Sequence, residues 1–346
     1  MKSLMTYREA LASGMAKEMD IDTRVFVFGL DVPDHKRIFG STKGLVEKFG
    51  SERCFGTPLS EDAMTGVAIG AALSGLRPVH VHIRADFLLL GMNQIANVMS
   101  SLRYTSGGAL KIPLVIRAVI GRGWGQGAQH SKSLHGVFAH FPGIKVVLPT
   151  TPQDAYGTLR AAIRDDNPVV ILEHRWLYDI EGDVDDEADI ALSGPAILRK
   201  GQSVTVVCTS WMNIEALKAA DVLAKRGIEL EVIDIRTITP LDERLVVESV
   251  NRTGRCIVAD YDWLFCGFAA ELAARLSHRC FATLQQPVER IGFAPVPCPT
   301  TRPLENLFYP SAVNIIRTVE RMLELPHADL SQETFYSYEQ RFKGPF

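Results

Sequence analysis

The arrangement with the clearest chemical use in this chain is a carboxyl group set at the mouth of an apolar helix. Gly56-Thr57-Pro58-Leu59-Ser60-Glu61-Asp62 leads into the apolar run from Val67 to Leu73. Proline at 58 keeps Thr57 extended, Ser60 stands where it can cap the helix, and Glu61 falls in the first turn, where unpaired amides favour negative charge. A carboxylate fixed there can point along the helix axis at a ligand. A second place of interest is the loop Gly121-Arg122-Gly123-Trp124-Gly125-Gln126-Gly127, which ends at Gln129-His130-Ser131. So many glycines cannot build a packed element, which leaves the loop free to approach a ligand closely. His80 and His82 share a strand face, and with no further ligand at metal-site spacing they read as a packed or surface pair.

The elements that must position these groups follow from hydrophobic period. Thr6-Tyr7-Arg8-Glu9 reads as a capping box before a helix with an apolar stripe. Val25 to Gly29 is a continuous apolar run, the mark of a parallel strand buried on both faces. A helix over 62–75, a strand from Val79 to Ile83 and a helix from Phe87 to Val98 come next. Strands follow at Ile112–Arg117, Lys145–Leu148 and Pro168–Leu172, with a proline-initiated helix from Thr151 to Arg164 between the last two. This alternation predicts α/β architecture, a parallel sheet covered by helices on both faces.

Asp179 to Ala191 holds seven Asp or Glu residues and little that can form a core, so the spacing places a solvated linker there. Beyond it the alternation resumes: strands at Ser203–Cys208, Leu230–Asp234, Cys256–Ala259 and Val288–Ile291, and a last helix from Ser311 to Leu323. The expected organisation is two doubly wound domains, 1–180 and 199–325, joined by an acidic linker at 181–198 and followed by an irregular tail, 326–346. Asp242 is expected to cap the helix that ends near Val250.

With 346 residues, 47% apolar and 22% charged, the composition is that of a globular protein with room for two cores. A net charge of -3 gives no electrostatic footprint for nucleic acid. Six scattered cysteines form no C-x-x-C pair, and no window has the ~18 consecutive apolar residues of a membrane helix. The expectation is a cytoplasmic protein that engages neither nucleic acid nor membrane.

Six pieces occur in one order: Tyr7-Arg8-Glu9-Ala10, Thr57-Pro58-Leu59-Ser60-Glu61, Gln129-His130-Ser131, Ala161-Ala162-Ile163-Arg164-Asp165, Asn167-Pro168-Val169-Val170, and Asp234-Ile235-Arg236-Thr237-Ile238-Thr239-Pro240-Leu241-Asp242. In this order they resemble the beta subunit of the thiamine-diphosphate-dependent decarboxylating component of 2-oxoacid dehydrogenases, within the transketolase superfamily. The resemblance runs from about residue 4 to residue 323. It implies a pyrimidine-binding domain, a transketolase C-terminal domain, and an α2β2 assembly whose beta subunits also contact each other. It implies thiamine diphosphate at a subunit interface, its diphosphate and Mg²⁺ held by the alpha subunit through a Gly-Asp-Gly motif. This chain has none, since Gly182-Asp183 is followed by Val184.

The same resemblance assigns roles. Glu61 would meet the cofactor's pyrimidine nitrogen and promote the tautomer that lets the cofactor deprotonate itself, a task suited to a carboxyl withdrawn from water. Phe87 would stack on the aminopyrimidine, with Leu59 and Ile83 lining it; Ile83, Ala85 and Phe87 share a face if the strand continues that far. His130 would handle protons or touch the substrate-derived intermediate. Some members bind K⁺ through main-chain carbonyls, and the matching positions are Leu114, Ala162, Asp165 and Asn167. Arg84, Arg122-Gly123-Trp124 and Glu173-His174-Arg175-Trp176 depart from the pattern, and Arg84 is placed to pair with a carboxylate or phosphate of an unusual substrate. The expected activity is decarboxylation of a small 2-oxoacid with acyl transfer to a lipoyl-bearing acyltransferase. The alternatives are a split transketolase-like enzyme acting on an aldehyde or sugar without lipoamide, and a non-catalytic assembly or regulatory subunit.

Overall fold

The computed structural model describes residues 2–34, 38–121, 125–188, 191–192, 194–333 and 335. Arg122-Gly123-Trp124 and most of the tail, both singled out above, lie outside them. The chain forms two compact units, one of Met1–Gly121, Lys132–Ser193 and Thr237–Pro240, the other of Arg122–Ser131, Gly194–Arg236 and Leu241–Phe346.

In the first unit the strands are β1 (Lys2–Thr6), β2 (Val25–Gly29), β3 (Cys54–Phe55), β4 (Arg77–His82), β5 (Val115–Ile120), β6 (Lys145–Val147), β7 (Val169–His174) and β8 (Glu181–Asp185). The main sheet has the order Thr237–Thr239, β6, β7, β5, β4, β2, β3. Every pair in it is parallel except that of Thr237–Thr239 with β6. β5 and β7, the continuous apolar runs, are buried along their whole length, as strands covered on both faces must be. The predicted capping box forms, with Thr6 and Glu9 reciprocally capping Tyr7–Ile21, and the proline-initiated helix Pro152–Arg164 carries a second box, between Thr151 and Asp154, that the sequence reading did not name. Those two helices are tied by Glu18, whose carboxylate accepts from Arg160 Nε at 2.7 Å and Arg164 Nε at 2.8 Å.

Two expectations are corrected here. The acidic run does not begin as a solvated linker, because Glu181–Asp185 is β8 and pairs antiparallel with β1 in a two-stranded sheet. Backbone pairing satisfied by the N-terminal segment outweighs the poor strand propensity of its carboxylates. The stretch expected as one helix from Phe87 to Val98 is broken into Ala85–Leu88, a 3-10 turn at Leu89–Gly91 and a π-helical Asn93–Met99.

The second unit holds β9 (Ala196–Arg199), β10 (Val204–Cys208), β11 (Leu230–Asp234), β13 (Cys256–Trp263) and β14 (Glu289–Phe293), β12 being the Thr237–Thr239 strand of the first sheet. Their order is β14-β13-β10-β11-β9, parallel except at the β9 edge. The helix after β12 runs Arg244–Thr253 without a side-chain cap; Asp242 instead accepts from the backbone and guanidinium of Arg244. The described tail folds back on its own unit, with Ala328 N–H donating to Glu320 and Lys225 paired with Glu333.

Candidate functional site

Glu61 opens the helix Glu61–Leu73 as expected, but Ser60 makes no side-chain cap. Ser60 N–H instead turns back to the Pro58 carbonyl at 2.9 Å, a tight bend that proline favours. The first turn is braced from behind. Thr65 Oγ1 donates to the Glu61 carbonyl at 2.7 Å, and a Cβ at Gly91 would lie 2.9 Å from that hydroxyl oxygen, so only glycine lets the 3-10 turn approach so closely.

In front of Glu61 is a cleft lined by Leu59, Ile83, Phe87, Met64, His82 and Arg84, among others. Four of the sequence-derived site residues, Leu59, Glu61, Ile83 and Phe87, are therefore brought together. Glu61 and Ile83 are half-buried, whereas Leu59 is 75% and Phe87 37% exposed. Apolar side chains that exposed are not core, which leaves the reading that something covers them. The parity argument for Phe87 does not hold, because β4 stops at His82; Phe87 reaches the cleft from the turn Ala85–Leu88 that follows Arg84.

The cleft lies at the carboxyl end of a central parallel strand, where open α/β sheets bind ligands. That position was the available signal for His80 and His82, which the sequence reading set aside. Both line the cleft and are nearly buried. Burial holds His80 well below the ordinary imidazole range, helped by His82, and pushes His82 down to about 4. Two neutral imidazoles and one carboxyl thus face an apolar-walled space. Asp86, two residues beyond Arg84, is paired with Lys132 at 2.9 Å.

His130 belongs to the second unit, where its N–H donates to the Gly127 carbonyl at 3.4 Å. Its loop is fastened by Ser131 Oγ donating to the same carbonyl at 2.7 Å. Gly127 has φ +62°, and a Cβ there would meet Thr300 Cγ2 at 2.7 Å, so the close approach requires glycine.

Of the carbonyl set, Leu114 accepts from Val169 N–H at 2.9 Å, Ala162 from Asp165 N–H at 3.3 Å, and Asp165 from Arg77 Nη1 at 3.2 Å. The Asp165 side chain accepts from Asn167 N–H and pairs with Lys145. Each of these three carbonyls has a second lone pair.

Residues 3–180 match the family described as transketolase, pyrimidine binding domain, and residues 195–315 the transketolase C-terminal domain. The chain is 39% identical over 319 residues to the pyruvate dehydrogenase E1 component subunit beta of Rickettsia bellii, spanning 92% of this chain and 98% of that one. It is 39% identical over 331 residues to the acetoin:2,6-dichlorophenolindophenol oxidoreductase subunit beta of Cupriavidus necator, at 92% and 98% coverage. Against the 2-oxoisovalerate dehydrogenase subunit beta of Bacillus subtilis the identity is 38% over 309 residues, at 89% and 94%. A solved structure of a split gene transketolase, an inactive beta4 tetramer, superposes with a TM-score of 0.75 at 22% identity, covering 93% of this chain and 99% of that one, a likeness of fold.

Proposed function

The chain belongs to the transketolase-type family that includes the beta subunits of 2-oxoacid dehydrogenase E1 components, and from that membership we propose that it is the beta subunit of a thiamine-diphosphate-dependent enzyme that decarboxylates a 2-oxoacid and passes on the acyl group. The observation that carries the reading is the convergence of Glu61, Ile83 and Phe87 on one cleft at a strand end.

The residues fit the pyrimidine end of such a cofactor: one carboxyl, an exposed aromatic face and apolar walls. When bound, thiamine diphosphate supplies a nucleophilic carbon that adds to a 2-oxo group and accepts the electrons released with CO₂. Phe87 would hold the ring by stacking, and Leu59 and Ile83 would exclude water from its edges. Glu61 would hold a proton at its carboxyl oxygens against the ring nitrogen, its position set by the Thr65 and Gly91 brace. His130 would move a proton at an imidazole nitrogen.

With no Gly-Asp-Gly in this chain, the diphosphate and Mg²⁺ fall to an alpha partner in an α2β2 assembly in which beta subunits also meet. K⁺ would use the second lone pairs of Leu114, Ala162 and Asp165 together with Asn167. A lipoyl-bearing acyltransferase is the proposed acceptor and the cytoplasm the proposed location; among the described residues no helix is long and apolar enough to cross a membrane.

The test is to purify the chain with its alpha partner, supply 2-oxoacids and sugar phosphates, and follow CO₂ release and lipoamide acylation. Both together support the reading. Ketol transfer to an aldehyde without lipoamide would put the split transketolase-like alternative in its place, and an assembly inert to all donors would favour the non-catalytic one.

A further inference from the structure

We infer that His82 reads the side chain of the donor, and that the 2-oxoacid taken by this cleft carries a hydroxyl there in place of an alkyl group. The inference deepens the proposed decarboxylation and rests on the reading of the cleft beside Glu61 as the place of that reaction.

His82 is the last residue of β4, at the carboxyl end of the strand, and lines the cleft together with His80, two residues earlier on the same strand face. The rings are 6% and 2% exposed. At that depth each ring nitrogen needs a partner, because an unsatisfied donor or acceptor keeps the cost of its lost hydration. One nitrogen of each ring is answered by the other, His82 Nε2 with His80 Nδ1 at 3.3 Å. Among the described residues neither ring has a further hydrogen-bond partner, and neither leftover nitrogen is sealed from accessible space. His80 is pinned flat on the Phe28 ring, their planes 9° apart, so it acts as a positioning residue. His82, nearer the strand end, presents Nδ1 to the cleft.

The bond between the rings decides what that nitrogen can do. If His82 Nε2 donates to His80, Nδ1 is left as an acceptor; if Nε2 accepts, Nδ1 carries the proton and donates. Burial holds both rings neutral near pH 7, so the pair offers no charge to an anionic tail. A hydroxyl serves either tautomer, since it donates and accepts at one oxygen, whereas a methyl in its place leaves the nitrogen unpaired. Much of the remaining wall is apolar, with Leu30, Pro58, Met64 and Val81, and Thr57 and Arg84 are its other polar groups outside the proposed cofactor contacts.

The experiment compares 3-hydroxypyruvate with 2-oxobutyrate, which differ only in a hydroxyl against a methyl of similar size, on the chain purified with its alpha partner. CO₂ release gives kcat/KM for each acid, and the wild type is expected to favour hydroxypyruvate about 100-fold. H82F keeps a flat ring, removes both nitrogens and should bring the ratio to about one. H82Q should do nearly the same, because a glutamine amide reaches the place of Nε2 and keeps the bond to His80 but has nothing at Nδ1. H80F leaves Nδ1 present and unfixed, and should lower the ratio only in part. Calorimetric binding of the two acids to the same assemblies gives a readout independent of turnover.

A wild type that shows no preference for hydroxypyruvate in either readout overturns the inference. So does an H82Q enzyme that keeps the wild-type ratio, which would hand the hydroxyl to another group of the wall. A fall in kcat for both acids with the ratio unmoved also overturns it and makes His82 structural. If H82F does not fold, H82Q carries the test, since it retains the contact between the two side chains. Binding that favours hydroxypyruvate, and loses that preference in H82Q, upholds the inference even where neither acid is decarboxylated, and it is then the proposed reaction that falls.

Discussion

His82 Nε2 lies 3.3 Å from His80 Nδ1, and the His80 ring in turn stacks on Phe28 with centroids 4.5 Å apart. At that distance one nitrogen donates and the other accepts, so the contact fixes complementary tautomers of two neutral rings. Protonating either ring would place a charge among buried aromatic and apolar groups.

Acid should therefore destabilise the first unit through this pair. Between about pH 6.5 and about 4 the unfolded chain binds a proton at His82 that the folded chain refuses, so the stabilisation is complete above that window and is lost as pH falls through it. The folded value near 4 corresponds to about 3 kcal/mol across the window. Urea midpoints measured from pH 4 to 7.5 should fall more steeply for the wild type than for His82→Phe. Parallel curves would show that the imidazole does not titrate as described.

Glu61→Gln keeps the shape of the first turn and replaces the carboxyl proposed to share a proton with the cofactor ring. Thiazolium proton exchange, followed by NMR in the assembly with the alpha partner, should slow by about 100-fold or more while circular dichroism and assembly stay as they were. Exchange at a near-normal rate would take Glu61 out of the proposed role.

His130→Ala should leave cofactor bound and lower steady-state turnover by about 100-fold, the usual scale of a lost acid–base group. Unchanged rates would make the imidazole a bystander.

Two glycine replacements should act in opposite directions. Gly127→Ala forces a side chain onto φ +62° and into Thr300 and should cost about 1 kcal/mol or more, seen as a lower melting temperature. Gly157→Ala, inside the helix Pro152–Arg164 with only Gln153 Nε2 at 4.0 Å from its new methyl, should add about 0.5–1 kcal/mol. Equal effects of the same sign would contradict the geometry.

What the sequence disclosed depended on whether a signal was local. The capping box at Thr6–Glu9 and the proline-started helix at 152 were readable because each is a pattern of about four residues that satisfies its own backbone groups. The continuous apolar runs at β5 and β7 announced buried parallel strands for a similarly local reason. β1 and β8 were invisible because neither is apolar and each exists only through a partner about 180 residues away, as in the pairing of Lys2 with Asp185. At the cleft, Glu61 was legible from its place after Pro58. His80 and His82 were not, since nothing in two alternating histidines tells a surface pair from one walled in behind Phe28. Phe87 was placed correctly through a wrong intermediate, a strand that in fact ends five residues earlier.

The three-residue strand Thr237–Thr239 supplies the outer rung beside β6 although a third of the second unit's chain precedes it. Any uninterrupted piece of gene that encodes the whole first sheet therefore also encodes part of the second unit. A fragment cut within the acidic run would leave the rim of β6 bare, with amides and carbonyls open to any passing strand, and should clump through that rim unless Thr237–Thr239 is restored as a separate peptide.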